Sequence, residues 1–165
     1  MPQAPMRMEW ALKGPGSAWF IWDAEDTRIQ IGTTYLADGL ASVLGMAIDL
    51  SLGAEATFAV LAGEPGGHRI FCSGATDAVF VQVVGFEDLG GPGTWWKGAD
   101  LRWHGRVPVA DVVDCVRAMA AGVLEGYGAE GYRKEWGMPF PMERYEKVQQ
   151  ALGGRNSLPP PERFK

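Results

Sequence analysis

Two histidines and two cysteines are the side chains with which this chain of 165 residues could carry out nucleophilic catalysis or bind zinc. His68 and Cys72 lie four residues apart on a predicted strand, so their side chains stand about 13 Å apart at strand rise. That distance is too long for the hydrogen bond between a nucleophile and its base, and neither residue type occurs at zinc-ligand spacing. Cys115 flanks the apolar stripe of a predicted helix. We interpret both thiols as reduced, buried and inert, and we expect no catalytic residue, no metal ion and no cofactor.

The charged residues indicate which partners the chain would attract. Its net charge is −5 at pH 7, and an acidic body repels the phosphates of nucleic acids but attracts a basic protein. Solubility alone is the alternative explanation of so modest a charge. Residues 90–93, GGPG, lack the Lys and the Ser or Thr of a phosphate-binding loop. We therefore expect a basic protein partner and no nucleic acid.

Tryptophan is the one residue type in excess, with seven in the chain. Trp95 and Trp96 are adjacent in a glycine-rich loop, where two bulky rings are not easily both buried, and aromatic side chains on loops are frequent in binding hot spots. Glu87 and Asp88 precede them in the same loop. The alternative is structural, with one ring covering the sheet and the other stacked on Arg102. We predict that this loop and its acidic neighbours form a binding site.

The strand that follows this loop alternates in polarity. Leu101 and Trp103 are apolar, whereas Asp100, Arg102 and His104 are polar, which is typical of a strand with one solvated face. Arg102 and His104 are therefore further candidate binding residues, although a solvated sheet face without function explains the same pattern.

Hydrophobic periodicity divides the chain into strands and helices. Strands are predicted at residues 7–13, 17–22, 27–33, 56–62, 68–73, 78–86 and 101–107, and helices at 36–52, 109–127 and 141–152. Residues 78–86 are apolar on both faces, which predicts a central strand buried on both sides. The fold class is then α+β: an antiparallel sheet of about six or seven strands, with one inserted helix and a long plus a short C-terminal helix packed on one face. Residues 1–152 form a single domain, and the proline-rich residues 153–165 are extended or disordered.

The first predicted helix has few polar residues, so it must be covered on more than one side. If a second copy of the chain covers it, the protein is a homodimer. If the sheet curls around it instead, a cup forms between sheet and helix, lined by Trp103, His104 and Tyr35. Such a cup would suit a small-molecule-binding protein or a minor hydrolase.

Residues 127–141 have the sequence pattern YGxxGYxxxWGxPFP, in which Tyr132, Trp136 and Phe140 are spaced to form an aromatic clasp. This pattern, with a Glu64-Pro65-Gly66 turn upstream, resembles that of small actinobacterial α+β proteins to which no function is assigned. Such proteins are similar in general character to immunity proteins of bacterial toxin systems, which bind and block a toxin. The resemblance implies a non-enzymatic protein-binding module, an immunity-like protein that neutralises a toxin.

Hydropathy bears on where the protein acts. The first residues contain no apolar run of signal-peptide length, and no segment approaches the roughly 18 apolar residues of a transmembrane helix. We therefore expect a cytoplasmic protein with no membrane among its partners.

Overall fold

The computed structural model describes residues 6–89 and 98–155, of which 153–155 by backbone only. The described residues form seven strands and three helices, so the fold class is α+β. These are β1 (Arg7–Gly14), β2 (Ser17–Ala24), β3 (Thr27–Thr34), α1 (Gly39–Ser51), β4 (Thr57–Ala62), β5 (Gly67–Ser73), β6 (Ala78–Phe86), β7 (Asp100–Pro108), α2 (Val109–Trp136) and α3 (Met142–Arg155). The prediction of a single sheet is wrong. Strands β1-β2-β3 form sheet 1, and β4-β5-β6-β7 form sheet 2, both antiparallel.

Sheet 1 is a meander whose strands are joined by short turns. Gly16 in the first turn has φ +64, a conformation that glycine adopts without steric cost. Because side chains alternate along a strand, Trp10, Phe20 and Ile31 lie side by side on one face. All three are buried, and this inner face contributes one wall of the core.

Sheet 2 is a longer meander with one irregularity. A register shift between Val83 and Val84 leaves Arg102 without a partner in β6, because Val83 pairs with Trp103 and Val84 with Leu101. Such a bulge bends the strand and re-aims the side chains beside it. Its buried inner residues join the same core as those of sheet 1: Ala59, Leu61, Ile70, Cys72, Val79, Val81, Val83, Trp103 and Val107.

Two side-chain hydrogen bonds close the edge of β4. Thr33 Oγ1 at the end of β3 donates to the Ala62 carbonyl oxygen at 2.9 Å, and the Val60 backbone N–H donates to Ser42 Oγ of α1 at 2.8 Å. The first bond also joins sheet 1 to sheet 2. One N–H and one C=O group on the free side of this edge strand are thus satisfied within the chain.

Helix α1 begins at Gly39 rather than at residue 36, because Asp38 is its N-cap and accepts a hydrogen bond from Ala41 N at 3.2 Å. It packs against β4, α2 and α3. Leu40 and Leu44 are completely buried as a result. The chain itself therefore covers this helix on several sides, and its few polar residues do not require a second copy.

Helix α2 reaches Trp136 instead of the predicted residue 127, with an interruption at Gly128, where φ is +69 and ψ is 164. Beyond it, Tyr132 and Trp136 are completely buried. The ring of Trp136 lies 5.3 Å from that of Trp10, and the ring of Tyr132 lies 5.7 Å from that of Phe140. The predicted aromatic clasp is confirmed, and it attaches the C-terminal third of the chain to sheet 1.

Helix α3 extends three residues beyond the predicted end of the domain at Leu152, so the backbone of residues 153–155 is helical and not extended. The rest of the predicted tail, residues 156–165, lies outside the described residues. Tyr145 and Val148 are buried and hold α3 against the core. Among the described helices, none is long and apolar enough to cross a membrane.

Candidate functional site

The loop that the sequence singles out is described only at its two ends. Trp95 and Trp96 lie outside the described residues, so their role in binding stays a prediction. Glu87 and Asp88 are exposed directly after β6, and the side chain of Glu87 packs against Gly98. Both carboxylates are therefore accessible at one end of sheet 2.

Arg102 and His104, the other predicted binding residues, do not lie together. Arg102 occupies the bulge of β7, and its Nη1 lies 3.3 Å from Nε2 of His68. His104 pairs with Gln82, and its ring lies 6.0 Å from that of Phe80. Of the predicted binding residues, Glu87 and Arg102 line one cleft, whereas His104 lies elsewhere on sheet 2.

The contact of Arg102 with His68 determines which nitrogen of this imidazole carries the proton. A guanidinium can only donate, so Nε2 of His68 must accept and Nδ1 must carry the proton. Burial lowers the pKa of His68 and the charge of Arg102 lowers it further, whereas Asp100 acts in the opposite direction. The neutral form of His68 is therefore favoured, and its buried Nδ1 has no hydrogen-bond partner among the described residues.

The residues predicted to line a cup beside the first helix are not brought together, and that prediction is wrong. Trp103 is buried in the core with its ring 5.2 Å from that of Trp22. His104 is the next residue of the same strand, so its side chain points to the opposite side of the sheet. Tyr35 is 56% exposed and lies against Gly16.

Sheet 2 has a face that the core does not cover, which we call the outer face. The strand register places one row of side chains across it, Phe58, Phe71, Gln82 and His104, and a second row of Val60, Arg69, Val84 and Leu101. Phe80 and Arg106 form a third pair. Phe58 is 51% exposed and Leu101 is 50% exposed. A groove of about 500 Å³ crosses this face, lined by Ala56, Thr57, Phe58, Phe71, Cys72, Ser73, Gln82 and Val84.

The charges on the outer face differ in sign from the charge of the whole chain. None of the residues in its three rows is acidic, and its ionisable groups are Arg69, His104 and Arg106. Arg69 is only 4% exposed, with its guanidinium 4.9 Å above the ring of Phe86. His104 and Arg106 are exposed on β7. The outer face is therefore apolar in its centre and basic along β7.

A cleft of about 620 Å³ lies where β3, the turn between β4 and β5, and the ends of β6 and β7 meet. Charged residues of both signs line it: Lys13, Glu64, Glu87, Asp100 and Arg102. Its volume is within the range of small-molecule sites, but its walls are more polar than is usual for them. If the protein binds a small molecule, the alternative drawn from the sequence, this cleft is the candidate site, and not a cup beside α1.

The two thiols are poor nucleophiles in this fold. Burial raises the pKa of Cys72 to about 12. Burial, with Asp114 and Asp111 nearby, raises the pKa of Cys115 to about 11, and its Sγ donates to the Met6 carbonyl oxygen at 2.8 Å. Across the described ranges, no three His, Cys, Asp or Glu side chains come together as a set that could hold a metal ion.

Phe58, Phe71 and Phe80 are the candidate residues that the sequence did not identify. The prediction that residues 78–86 are buried on both faces is wrong, because Phe80 and Val84 are only partly buried while Val79, Val81 and Val83 are fully buried. An apolar strand face predicts burial, but it does not distinguish burial within the chain from burial against another molecule.

Models of known protein families, curated proteins and solved structures were compared with the chain, and none of them matches it. No relative therefore contributes to the functional argument.

Proposed function

We propose that the protein is a non-enzymatic protein-binding module and that its partner binds the outer face of sheet 2. The observation that carries this proposal is the contiguous set of exposed apolar side chains on a regular sheet, with Phe58 and Leu101 half exposed and Phe71 and Val84 partly exposed beside them. Contiguous apolar patches on a folded domain are typical of interaction sites.

Burial of the apolar side chains of the outer face would contribute substantially to the free energy of binding a partner. Burying a whole Phe or Leu side chain contributes about 1.5–3 kcal/mol, so each half-exposed side chain contributes about 1 kcal/mol on contact with a partner. Phe58 and Phe71 lie with their ring centres 6.3 Å apart, and such aromatic clusters are frequent at the centre of interfaces. The partner would therefore cover both rings and reach Leu101 at the opposite edge.

Toxin neutralisation is the specific form of protein binding that we propose, and the sequence resemblance supports it. Glu87 and Asp88 are exposed at the end of the same sheet, and a basic group of a toxin could approach the carboxylate of Glu87. A cytoplasmic location agrees with this role and is part of the proposal.

The outer face is tested by replacing Phe58 and Leu101 together by Ser. The matched control is Leu52→Ser, because Leu52 is 81% exposed at the end of α1 and outside the outer face. Proteins captured from a lysate of the producing organism are compared quantitatively for the wild type and both variants, and the captured partner is purified and titrated against each.

We expect the double variant to lose the partner, with affinity reduced at least about tenfold, which corresponds to about 1.4 kcal/mol. The Leu52→Ser variant should bind like the wild type. Equal binding by all three proteins, with folding confirmed by circular dichroism, would show that the outer face is not the interface.

A further inference from the structure

We infer that the segment of the partner that contacts sheet 2 is an extended, acidic strand that adds to the free edge of β7. This inference rests on the proposed function and specifies the partner's chemistry at the same surface. It depends on two properties of β7, its unpaired backbone and the charges that flank it.

The backbone of β7 is open on one side. Strand β7 pairs with β6 and, within the described residues, with no other strand. The backbone hydrogen bonds outside the described helices and sheets include none from residues 100–108. Alternate residues of an edge strand direct their N–H and C=O groups away from the sheet. A strand of nine residues therefore offers a row of unpaired donors and acceptors.

Strand β4, at the opposite edge of sheet 2, has fewer unpaired backbone groups to offer. Ser42 accepts from the Val60 N–H, and Thr33 donates to the Ala62 carbonyl oxygen, on the free side of β4. An added strand would have to displace both side chains there, whereas along β7 no described residue bonds to the free backbone groups. Strand addition is a recognised mode of peptide binding, in which main-chain hydrogen bonds supply affinity and alternate side chains supply specificity.

The charges along β7 specify which strand would be added. Arg102, His104 and Arg106 are all exposed, and none of them forms an ion pair with a described residue. Asp100 is the one carboxylate of the strand and stands at its first position. Side chains directly opposite on neighbouring strands interact, and opposite charges there are favourable. Carboxylates facing His104 and Arg106, followed by an apolar residue facing Leu101, would complement this edge.

Single-stranded nucleic acid would also favour arginine and aromatic side chains, but the face fits it less well. Val84 and Leu101 at one end of the outer face are aliphatic, so bases could stack on the rings of His104 and Phe80 but not along the whole of β7. The carboxylates of Glu87 and Asp88 at the end of the sheet would repel phosphates. We therefore favour a protein segment, and the experiment includes an oligonucleotide.

The test measures fluorescence anisotropy of labelled probes with the full chain. One probe is a peptide of alternating Val and Glu, and a second peptide has Lys in place of Glu. A third carries the Val-Glu sequence with N-methyl groups at alternate residues, which removes the donors of one edge. Oligothymidine is the fourth probe. The protein variants are Arg106→Glu and, as a matched control, Arg28→Glu, because Arg28 is an exposed arginine on a strand of sheet 1.

We expect the Val-Glu peptide to bind at least about tenfold more tightly than the Lys peptide and the N-methylated peptide, and to bind more weakly as salt rises. Arg106→Glu should weaken binding at least about tenfold, whereas Arg28→Glu should not change it. Absence of binding by the Val-Glu peptide would overturn the inference, as would equal binding of the acidic and basic peptides, undiminished binding after N-methylation, or tighter binding of oligothymidine.

Different results would overturn the proposed interface at the outer face and the proposed strand addition at β7. If the Val-Glu peptide does not bind but Phe58→Ser with Leu101→Ser abolishes capture of the partner, the outer face remains the interface and strand addition is wrong. If the peptide binds as expected and the double variant still captures its partner, β7 accepts an acidic strand and the proposed interface is wrong.

Discussion

Two neighbouring threonines at the end of β3 differ in whether their buried hydroxyl group forms a hydrogen bond. Thr33 is completely buried and its Oγ1 donates to the Ala62 carbonyl oxygen, the bond that joins sheet 1 to sheet 2. The Oγ1 of Thr34 is also buried, but it has no hydrogen-bond partner among the described residues. We therefore expect the two hydroxyl groups to contribute differently to the free energy of unfolding.

Replacing each threonine by valine, which has the same shape without the hydroxyl, separates these contributions. Thr33→Val leaves the Ala62 carbonyl oxygen unpaired and should lower the free energy of unfolding by about 1–2 kcal/mol. Thr34→Val removes a buried polar group that is not satisfied, and should leave stability unchanged or raise it by up to about 1 kcal/mol. Urea denaturation measures the free energy of unfolding of both variants. A larger loss of stability for Thr34→Val than for Thr33→Val would contradict the hydrogen bond from Thr33 to Ala62.

At the scale of the element, helix α2 depends on one glycine. Gly128 has φ +69 and ψ 164, a region that other residues adopt only with strain. The interruption there separates the first part of α2 from the turn that carries Tyr132 and Trp136 into the core. Its sequence signal was ambiguous, because a Gly near residue 127 is also what ends a helix.

Gly128→Ala and Gly126→Ala are a matched pair within this helix. Alanine at residue 128 should lower the free energy of unfolding by about 1–3 kcal/mol because of the strained backbone. Residue 126 is helical, and a Cβ there meets no atom within 4 Å, so alanine should raise stability by about 0.5–1 kcal/mol. Thermal unfolding of the two variants checks the opposite signs. Equal effects would show that residue 128 tolerates a side chain.

On the scale of the whole molecule, the rates at which Cys72 and Cys115 are labelled measure how readily the folded chain unfolds. With the pKa of Cys72 raised to about 12 and that of Cys115 to about 11, the reactive thiolate is scarce at mildly alkaline pH. We expect a thiol reagent to label the folded protein at least about a hundredfold more slowly than the unfolded chain, with Cys72 the slower of the two. Cys115→Ala leaves Cys72 as the single reporter. Rapid labelling of that variant under native conditions would contradict the burial of β5.

Sequence patterns predicted the local structure well and the long-range arrangement less well. Strand positions followed from alternation, and the aromatic clasp of Tyr132, Trp136 and Phe140 followed from spacing. The division into two sheets depends on contacts between distant residues, such as Thr33 with Ala62, and no local pattern contains them. The outer face was missed for the same reason, since Phe58 becomes a neighbour of Phe71 only through the register of β4 with β5.

The closed edge of β4 limits how copies of this protein can associate through sheet 2. Endless fibres require two open edges, so that each molecule can receive one neighbour and offer itself to the next. Here Ser42 and Thr33 bond to two backbone groups on the free side of β4, whereas β7 has no second strand partner among the described residues. Pairing through β7 alone would join two molecules and would not continue into a fibre.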